Sequence, residues 1–463
     1  MPNSSTLAPG QGDLTAGVPA PSLVDPPRTH PTAVLSVIAA GALVALLLWW
    51  HQTPHISGLG DWLTNAGRVT GLLAGYGVVV LVALMARLPP VERGVGADQL
   101  ARWHATGGRY TVWLVVAHAL LITWGYAVTA HTGVVSQTKT LLLSYPDVLM
   151  ATVAGLLLVG IGIVSVRAAR RRMRYETWYY LHFYTYVAVA LAFSHQFAIG
   201  AQFISSLPAR VFWGGLYVCV AAVILWFRFL TPAQQAVRHQ MRVLAVRQEA
   251  PGVISVIIGG RHLEELDARS GQFFRWRFLA RGLWWVSSPY SLSAPPETGR
   301  LRITVKGLGD HSRALAGLRP GTRVFAEGPY GALTGATRSH RRVLLIAGGV
   351  GITPLRALFQ ALPAGPGDLT LVYRASNPDE VVFRDELERL AKRRGAQLWF
   401  VLGRRADLGG DPLNAAALRN RIPRLDQHDV YVCGPSGMTN TVIRELRAAG
   451  VHRRHIHHES FEF

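Results

Sequence analysis

The feature that most limits what this chain can fold into is a series of six apolar runs between residues 33 and 227. They lie near 33–50, 67–86, 108–129, 146–166, 178–200 and 209–227. Each is about 18–23 residues, the length of helix that crosses the hydrocarbon core of a bilayer. Backbone polar groups in hydrocarbon must be satisfied inside the protein, so such runs are confined to helices. Residues 231–463 read instead as a water-facing α/β sequence. The expected fold class is a multi-domain membrane protein, with a six-helix transmembrane bundle over 33–230 followed by soluble units. Residues 1–32 are rich in Pro, Gly, Ser and Ala and are expected to be disordered. They lack the charged segment joined to a short apolar core that marks a cleaved signal peptide.

Arginine placement sets the expected orientation. The loop from Arg87 to Arg109 also holds Arg93 and Arg102, and "VRAARRRMRYE" holds Arg167, Arg170, Arg171, Arg172 and Arg174. Opposing loops carry little beyond Arg68, Lys139 and Arg210. Both termini and the soluble half are therefore expected on the cytoplasmic side of the cell membrane. The net charge of +20 comes mostly from scattered arginines, with no basic stripe interleaved with aromatics, which argues against nucleic acid as a partner. The expected partners are membrane lipid and a small-molecule acceptor. Two cysteines, Cys219 and Cys433, form no disulfide framework and cannot ligate an iron–sulfur cluster, which needs about four thiolates.

Histidines sit inside two of the apolar stretches, where an uncompensated polar group is costly. "WHATGGRYTVWLVVAH" places His104 and His118 fourteen positions apart, and "LHFYTYVAVALAFSH" places His182 and His195 thirteen apart. Such spacings rise roughly 20 Å along a helix, so each pair offers one imidazole toward each face of the bilayer. The third and fifth spans run in the same direction. His104 and His182 therefore share the inner level, and His118 and His195 the outer one. Two facing imidazoles can fill both axial positions of a haem, so two levels imply two stacked b-type haems. Zinc is the rival, but it prefers three or four protein ligands to two. At about 100° per residue, thirteen positions fall roughly 140° out of phase. A local irregularity or divergent rotamers are expected in the fifth span.

The soluble half divides near 340. Alternating runs such as "GVISVIIGG" and "LRITVKGL" suggest an antiparallel β-barrel over 231–338. "RVLLI", "DLTLVYRAS", "QLWFVLG" and "DVYVCGP" alternate with helical segments and suggest an α/β domain with an open parallel sheet over 339–463.

The histidine pairs followed by this soluble half resemble the ferric reductase and NADPH oxidase superfamily. The resemblance implies two bis-histidine haems in the third and fifth spans, then a ferredoxin–NADP reductase-like module binding FAD and NAD(P)H, with NADPH favoured. "SSPYSLS" at 287–293 resembles the flavin strand, which implies Tyr290 against the isoalloxazine and Ser291 bonded to it. Ser288 stands where the family carries Arg or His. "VKGLGDHS" resembles the pyrophosphate loop, implicating Lys306, Gly309 and Ser312, and "EGPYG" at 327–331 continues the pattern. "AGGVGITP" implies that Gly348, Gly349, Gly351, Thr353 and Pro354 hold the dinucleotide, its pyrophosphate at a helix N-terminus.

"CGP" implies that Cys433, with Gly434 and Pro435, lies beneath the nicotinamide. Arg374 is the candidate for a 2′-phosphate. The ending "HHESFEF" resembles the acidic-x-aromatic terminus, implying that Phe461, with Glu459, covers the flavin, although Phe463 also fits. Arg102, Arg109 and Arg174 either neutralise haem propionates or mark the cytoplasmic side. His51, His55 and His131 are expected in outward loops.

The implied function is a transmembrane oxidoreductase passing electrons from NAD(P)H to an extracytoplasmic acceptor, O2 or a ferric chelate. Two alternatives stand beside it. One is a flavoreductase merely anchored by its membrane half; the other is a histidine proton-relay transporter with a regulatory reductase domain.

Overall fold

A computed structural model describes residues 30–53, 56–166, 173, 175–200, 206–403 and 410–460. The membrane half comprises α1 (Pro31–Gln52), α2 (Leu59–Leu84), α3 (Pro89–Val95), α4 (Ala97–Thr129), α5 (Val134–Ser144), α6 (Val148–Ser165), α7 (Tyr175–Ile199) and α8 (Leu207–Ile224). A π-helical turn at Leu225–Leu230 continues α8 into α9 (Thr231–His239). Among the described residues, five helices are long and apolar enough to cross a membrane: α1, α2, α4, α6 and the continuous Leu207–His239 helix. Val37, Trp113 and Leu156 lie exposed on their outer surfaces, as lipid-facing side chains do.

The sixth expected span is the 25-residue α7. It packs along α6 but falls outside the set of five. Five tyrosines, two histidines and a glutamine among its residues dilute its apolar character. The third span is also longer than expected, because α4 begins ahead of His104 rather than after it.

Small residues fix the closest helix pair. A Cβ on Gly60 would lie 2.3 Å from the Thr129 hydroxyl, and one on Gly125 would lie 2.4 Å from that of Thr64. A Cβ on Gly67 would meet Ile122 at 2.8 Å. Gly67, Gly71 and Gly75 repeat every four residues down α2, the spacing that lets membrane helices approach closely.

The soluble half begins with six strands in two antiparallel sheets. β1 (Arg242–Ala250), β2 (Val253–Gly259) and β5 (Arg300–Lys306) form one; β4 (Ser288–Ser291), β3 (Phe273–Phe278) and β6 (Val324–Tyr330) form the other. Isolated bridges at Arg242–Arg323 and Leu292–Ile303 link them. A shared core includes Val256, Ile258, Phe274, Trp276, Phe278 and Ile303. The observed arrangement is thus two bridged sheets around one core, where a single antiparallel barrel was expected.

The second unit is a five-stranded parallel sheet in the order β11 (Ile456–Ser460), β10 (His428–Gly434), β7 (Arg342–Gly348), β8 (Leu369–Ala375), β9 (Gln397–Leu402). Burial on both faces explains why β7 and β10 read as unbroken apolar runs. Helices α10 (Ile352–Ala361), α11 (Arg384–Arg394) and α12 (Ser436–Ala448) accompany it.

Specific contacts join the parts. Arg87, after α2, forms an ion pair with Glu327 of β6, and its guanidinium lies 5.5 Å from the Tyr330 ring centre. Gln235 of α9 donates to the Gly328 carbonyl at 2.8 Å. Between the soluble units, Glu386 of α11 accepts from Arg302 of β5 at 3.1 Å and also binds Arg356 of α10.

Candidate functional site

Helices α4 and α7 bring the four membrane histidines into two facing pairs. The His104 and His182 ring centroids are 6.0 Å apart, and those of His118 and His195 are 6.4 Å apart. Helix α7 is regular from Tyr175 to Ile199. The out-of-phase spacing is therefore taken up by side-chain direction, and the expected backbone irregularity is absent from this helix. The π-turn of the bundle lies at Leu225–Leu230 instead.

Helix α2 orients one ring of each pair. His104 Nδ1 donates to the Leu81 carbonyl at 3.1 Å, and His118 Nδ1 donates to the Gly67 carbonyl at 2.7 Å. A carbonyl only accepts, so the proton sits on Nδ1 and Nε2 is left as a metal ligand. On the other side, His182 Nδ1 and His195 Nδ1 are buried without a hydrogen-bond partner among the described residues. Bonds of about 2 Å from two imidazoles to one ion place their centroids about 6 Å apart. The two pairs fit a bis-imidazole metal centre at each level.

Neighbouring side chains complete the outer level. Ser194 donates to Asp147 at 2.5 Å, one residue from His195, and Tyr217 donates to Gln196 at 2.5 Å. At the inner level Trp178 stacks on His182 at 5.3 Å. Arg102 bonds Gln99 and Arg109 bonds Thr106, each on its own helix, and both are exposed. Neither propionate binding nor mere marking of the cytoplasmic side is favoured by these contacts. Arg174 and His55 lie outside the described residues. His51 ends α1 and His131 follows α4, both exposed.

In the flavin-type sheets, Tyr290 pairs with Phe274 across the β3–β4 ladder, and its hydroxyl is pushed up in pKa by burial. Ser291 is buried and its hydroxyl has no partner among the described residues, which suits a bond to a bound ring. Ser312 accepts the N–H groups of Leu308 and Gly309 at 3.0 Å each. It therefore shapes the 306–312 loop with its hydroxyl. Lys306 Nζ stands 3.7 Å from Glu380.

The carboxyl ends of β7, β10 and β11 form the nucleotide edge, where open α/β sheets bind ligands. A Cβ on Gly351 would lie 2.2 Å from the Cys433 carbonyl, and one on Gly348 would lie 2.3 Å from Met438 Sδ. A Cβ on Gly434 would lie 3.2 Å from the Gly348 backbone. Gly349 has φ of +53°, and Thr353 donates to the Val350 carbonyl at 2.9 Å. Pro354 lies in the first turn of α10, and Pro435 precedes α12. Cys433 is fully buried, in register with Ala347 and Glu459. Glu459 lies 3.0 Å from a Cβ position on Gly331, which brings the C-terminal strand to the "EGPYG" turn. Phe461 and Phe463 lie outside the described residues. Arg374 Nη1 donates to the carbonyls of Val401 and Gly403, at 3.2 and 2.6 Å, which anchors its guanidinium at the end of β9.

At the opposite end of the sheet, His340, Asp429 and His455 bring ligand atoms within 4.8 Å of one another. Arg454 Nε donates to His455 Nε2 at 2.7 Å. That leaves the ring proton on Nδ1, which faces Ser339 at 2.9 Å and Asp429 at 3.5 Å. The protonated nitrogen favours a hydrogen-bonded cluster over a metal site.

Residues 70–193 match the ferric reductase like transmembrane component family, and residues 345–444 match the oxidoreductase NAD-binding domain family. The glycine betaine monooxygenase reductase subunit of Chromohalobacter salexigens is 27 % identical over 48 % of this chain and 64 % of that protein. NADH-cytochrome b5 reductase 1 of Ajellomyces capsulatus is 29 % identical over 34 % of this chain and 56 % of its own length. A flavohemoprotein of Vibrio cholerae is 30 % identical over 37 % of this chain and 45 % of its own length. The chain thus spans 45–64 % of the length of these curated relatives. Among solved structures, the ferredoxin reductase in carbazole 1,9a-dioxygenase shows TM-score 0.41 at 22 % identity, over 48 % of this chain and 69 % of that one. Flavohemoglobin from Malassezia yamatoensis shows TM-score 0.42 at 15 % identity, over 88 % of this chain and all of that one.

The chain thus joins a segment similar to the ferric reductase transmembrane component to one similar to the oxidoreductase NAD-binding domain. In this order on one chain, the two domains match the fused ferric reductase superfamily.

Proposed function

We propose that the protein carries electrons across the cell membrane, from cytoplasmic NAD(P)H to an acceptor on the opposite side. The observation that carries this reading is the pair of facing histidine couples on α4 and α7, set roughly 20 Å apart along the helices. Bound FAD would turn two-electron hydride chemistry into single electrons, and a b-type haem at each histidine level would relay them.

The protein's part is positioning. His104 with His182, and His118 with His195, would hold the two irons, while the carbonyls of Leu81 and Gly67 fix the ligand tautomers on α4. Ser291 offers a buried hydroxyl and Tyr290 a ring to the flavin. Gly348, Gly351 and Gly434 would leave the backbone bare for the nicotinamide dinucleotide, and Lys306 would supply positive charge near the flavin's pyrophosphate. Arg374 would meet a 2′-phosphate and so favour NADPH, and Cys433 and Glu459 would border the nicotinamide. Phe461 would cover the flavin. With both histidines of each pair engaged as ligands, the acceptor, O2 or a ferric chelate, would take electrons at the outer level without binding the metal itself.

Anaerobic visible spectroscopy of the full chain in detergent tests this reading, with FAD supplied and NADPH or NADH mixed in. Reduced b-type bands at about two haems per flavin are expected. Flavin bleaching with silent haem, or purified protein without haem, would overturn it.

A further inference from the structure

The loop from β3 to β4 carries two adjacent tryptophans on the surface of the soluble half. Trp284 is 61 % exposed and Trp285 44 %, with Leu279 exposed beside them. Water is a poor setting for so much indole surface on an otherwise well-packed domain. The Trp285 ring stacks on Tyr180 of α7, centroids 6.4 Å apart and planes 29° apart. Tyr180 lies near the start of α7, two residues before the inner histidine. That contact places the loop at the level where α7 enters the bilayer.

The surroundings are basic. Arg281 is exposed within the loop, and Leu279 donates its N–H to the carbonyl of Arg323, itself exposed. Exposed Phe325 of β6 pairs with Arg277 across the ladder. Tryptophan has an apolar body and one N–H donor, which suits the headgroup layer, and arginine suits lipid phosphates. A second copy of the chain would need apolar complementarity; arginines around two indoles, continuous with a membrane helix, match an anionic lipid surface better.

We propose that residues 279–286 form a membrane-docking loop, with Trp284 and Trp285 seated in the headgroup layer beside Tyr180 and Arg281 against lipid phosphate. The loop then holds the flavin-type sheets flat against the bilayer next to the inner histidines.

The test uses the full chain in nanodiscs of phosphatidylcholine and phosphatidylglycerol, with Cys219→Ser to remove the exposed thiol. A nitroxide at Arg281→Cys is compared with one at Arg389→Cys, on the exposed face of α11. The proposal expects the ratio of oxygen to nickel-chelate collision at position 281 to exceed that at 389 several-fold. Replacing both Trp284 and Trp285 by Asp should return it to the aqueous value. Equal nickel access at the two positions overturns the proposal. So does shielding of position 281 from both collision agents, which would mean that protein covers the loop.

Discussion

Gly71 faces the imidazole of His118: a Cβ built on it would lie 2.5 Å from Nδ1. No rotamer of a methyl group relieves that contact, because it is fixed by the backbone of α2. The same nitrogen donates to the Gly67 carbonyl one turn away. Gly71→Ala must therefore push the ring off its carbonyl and out of line with His195. The expected result is selective loss of one haem, as His118→Ala would give, with the His104–His182 level retained. Pyridine haemochrome titration checks it: about one haem per flavin in place of two. A full complement with unchanged reduced bands would refute the role assigned to Gly71.

Ser291 offers a different kind of test. Its hydroxyl is buried and without a partner among the described residues, and an unmatched polar group costs about 1–3 kcal/mol. Ser291→Ala should thus leave the flavin-free protein as stable as before, or more so. The same change should weaken FAD retention about tenfold, the loss of about one hydrogen bond. Thermal unfolding without flavin and equilibrium dialysis with it separate the two effects. Equal loss in both would reduce Ser291 to a packing residue.

How much of this was legible depended on whether a residue acts through its type or through a distant backbone. The open parallel sheet followed from strands alternating with helices, since β7 and β10 read as apolar runs. The histidine pairing followed from spacing, because the rise per residue fixes depth whatever the neighbours are. Helix α7 was harder to read, because its five tyrosines and two histidines interrupt the apolar run. The partners of His104 and His118 were not legible. They are carbonyls on α2, 23 and 51 residues away, and a carbonyl leaves no mark on residue type. The Gly67, Gly71, Gly75 repeat became a close-packing seam only once the helices were placed, because residue type does not say which side chain it admits. Ser312 was read as a phosphate contact from its motif, and its hydroxyl proves to accept two N–H groups of its own loop.

Asp429 ties three strands at the end of the sheet away from the nucleotide edge. It is fully buried and accepts from the Ser339 N–H at 2.7 Å, the His340 N–H, and His457 Nε2 at 3.0 Å. Burial alone would raise its pKa, but the hydrogen bonds from His457, His340 and Ser339 outweigh it and hold the carboxyl well below the usual range. A carboxylate so depressed adds stability above the unfolded pKa of about 4, and that contribution fades as pH falls toward the folded value. Asp429→Ala should cost about 2–4 kcal/mol at pH 7, since it strands several buried donors. The gap to wild type should narrow in acid. Thermal unfolding of the full chain across pH 3–8 reads this, and a gap independent of pH would rule out the carboxylate's charge as the cause.

Glu92 presents the opposite sign at the seam between the membrane half and β6. It lies on α3, and its Oε2 is buried with no partner among the described residues. Burial pushes its carboxyl up to about 7, against the pull of Arg87, Arg228 and Arg275. Between pH 4.5 and 7 the folded protein therefore holds a proton that the unfolded chain has lost. Stability from this group is full in acid and declines as pH rises through that window, by about 3 kcal/mol at most. Glu92→Gln keeps the shape and removes the titration. It should match wild type near pH 5 and unfold several degrees higher at pH 8, where wild type carries the buried charge. A Glu92→Gln protein that loses stability at pH 8 instead would show that the three arginines need the charge more than burial opposes it.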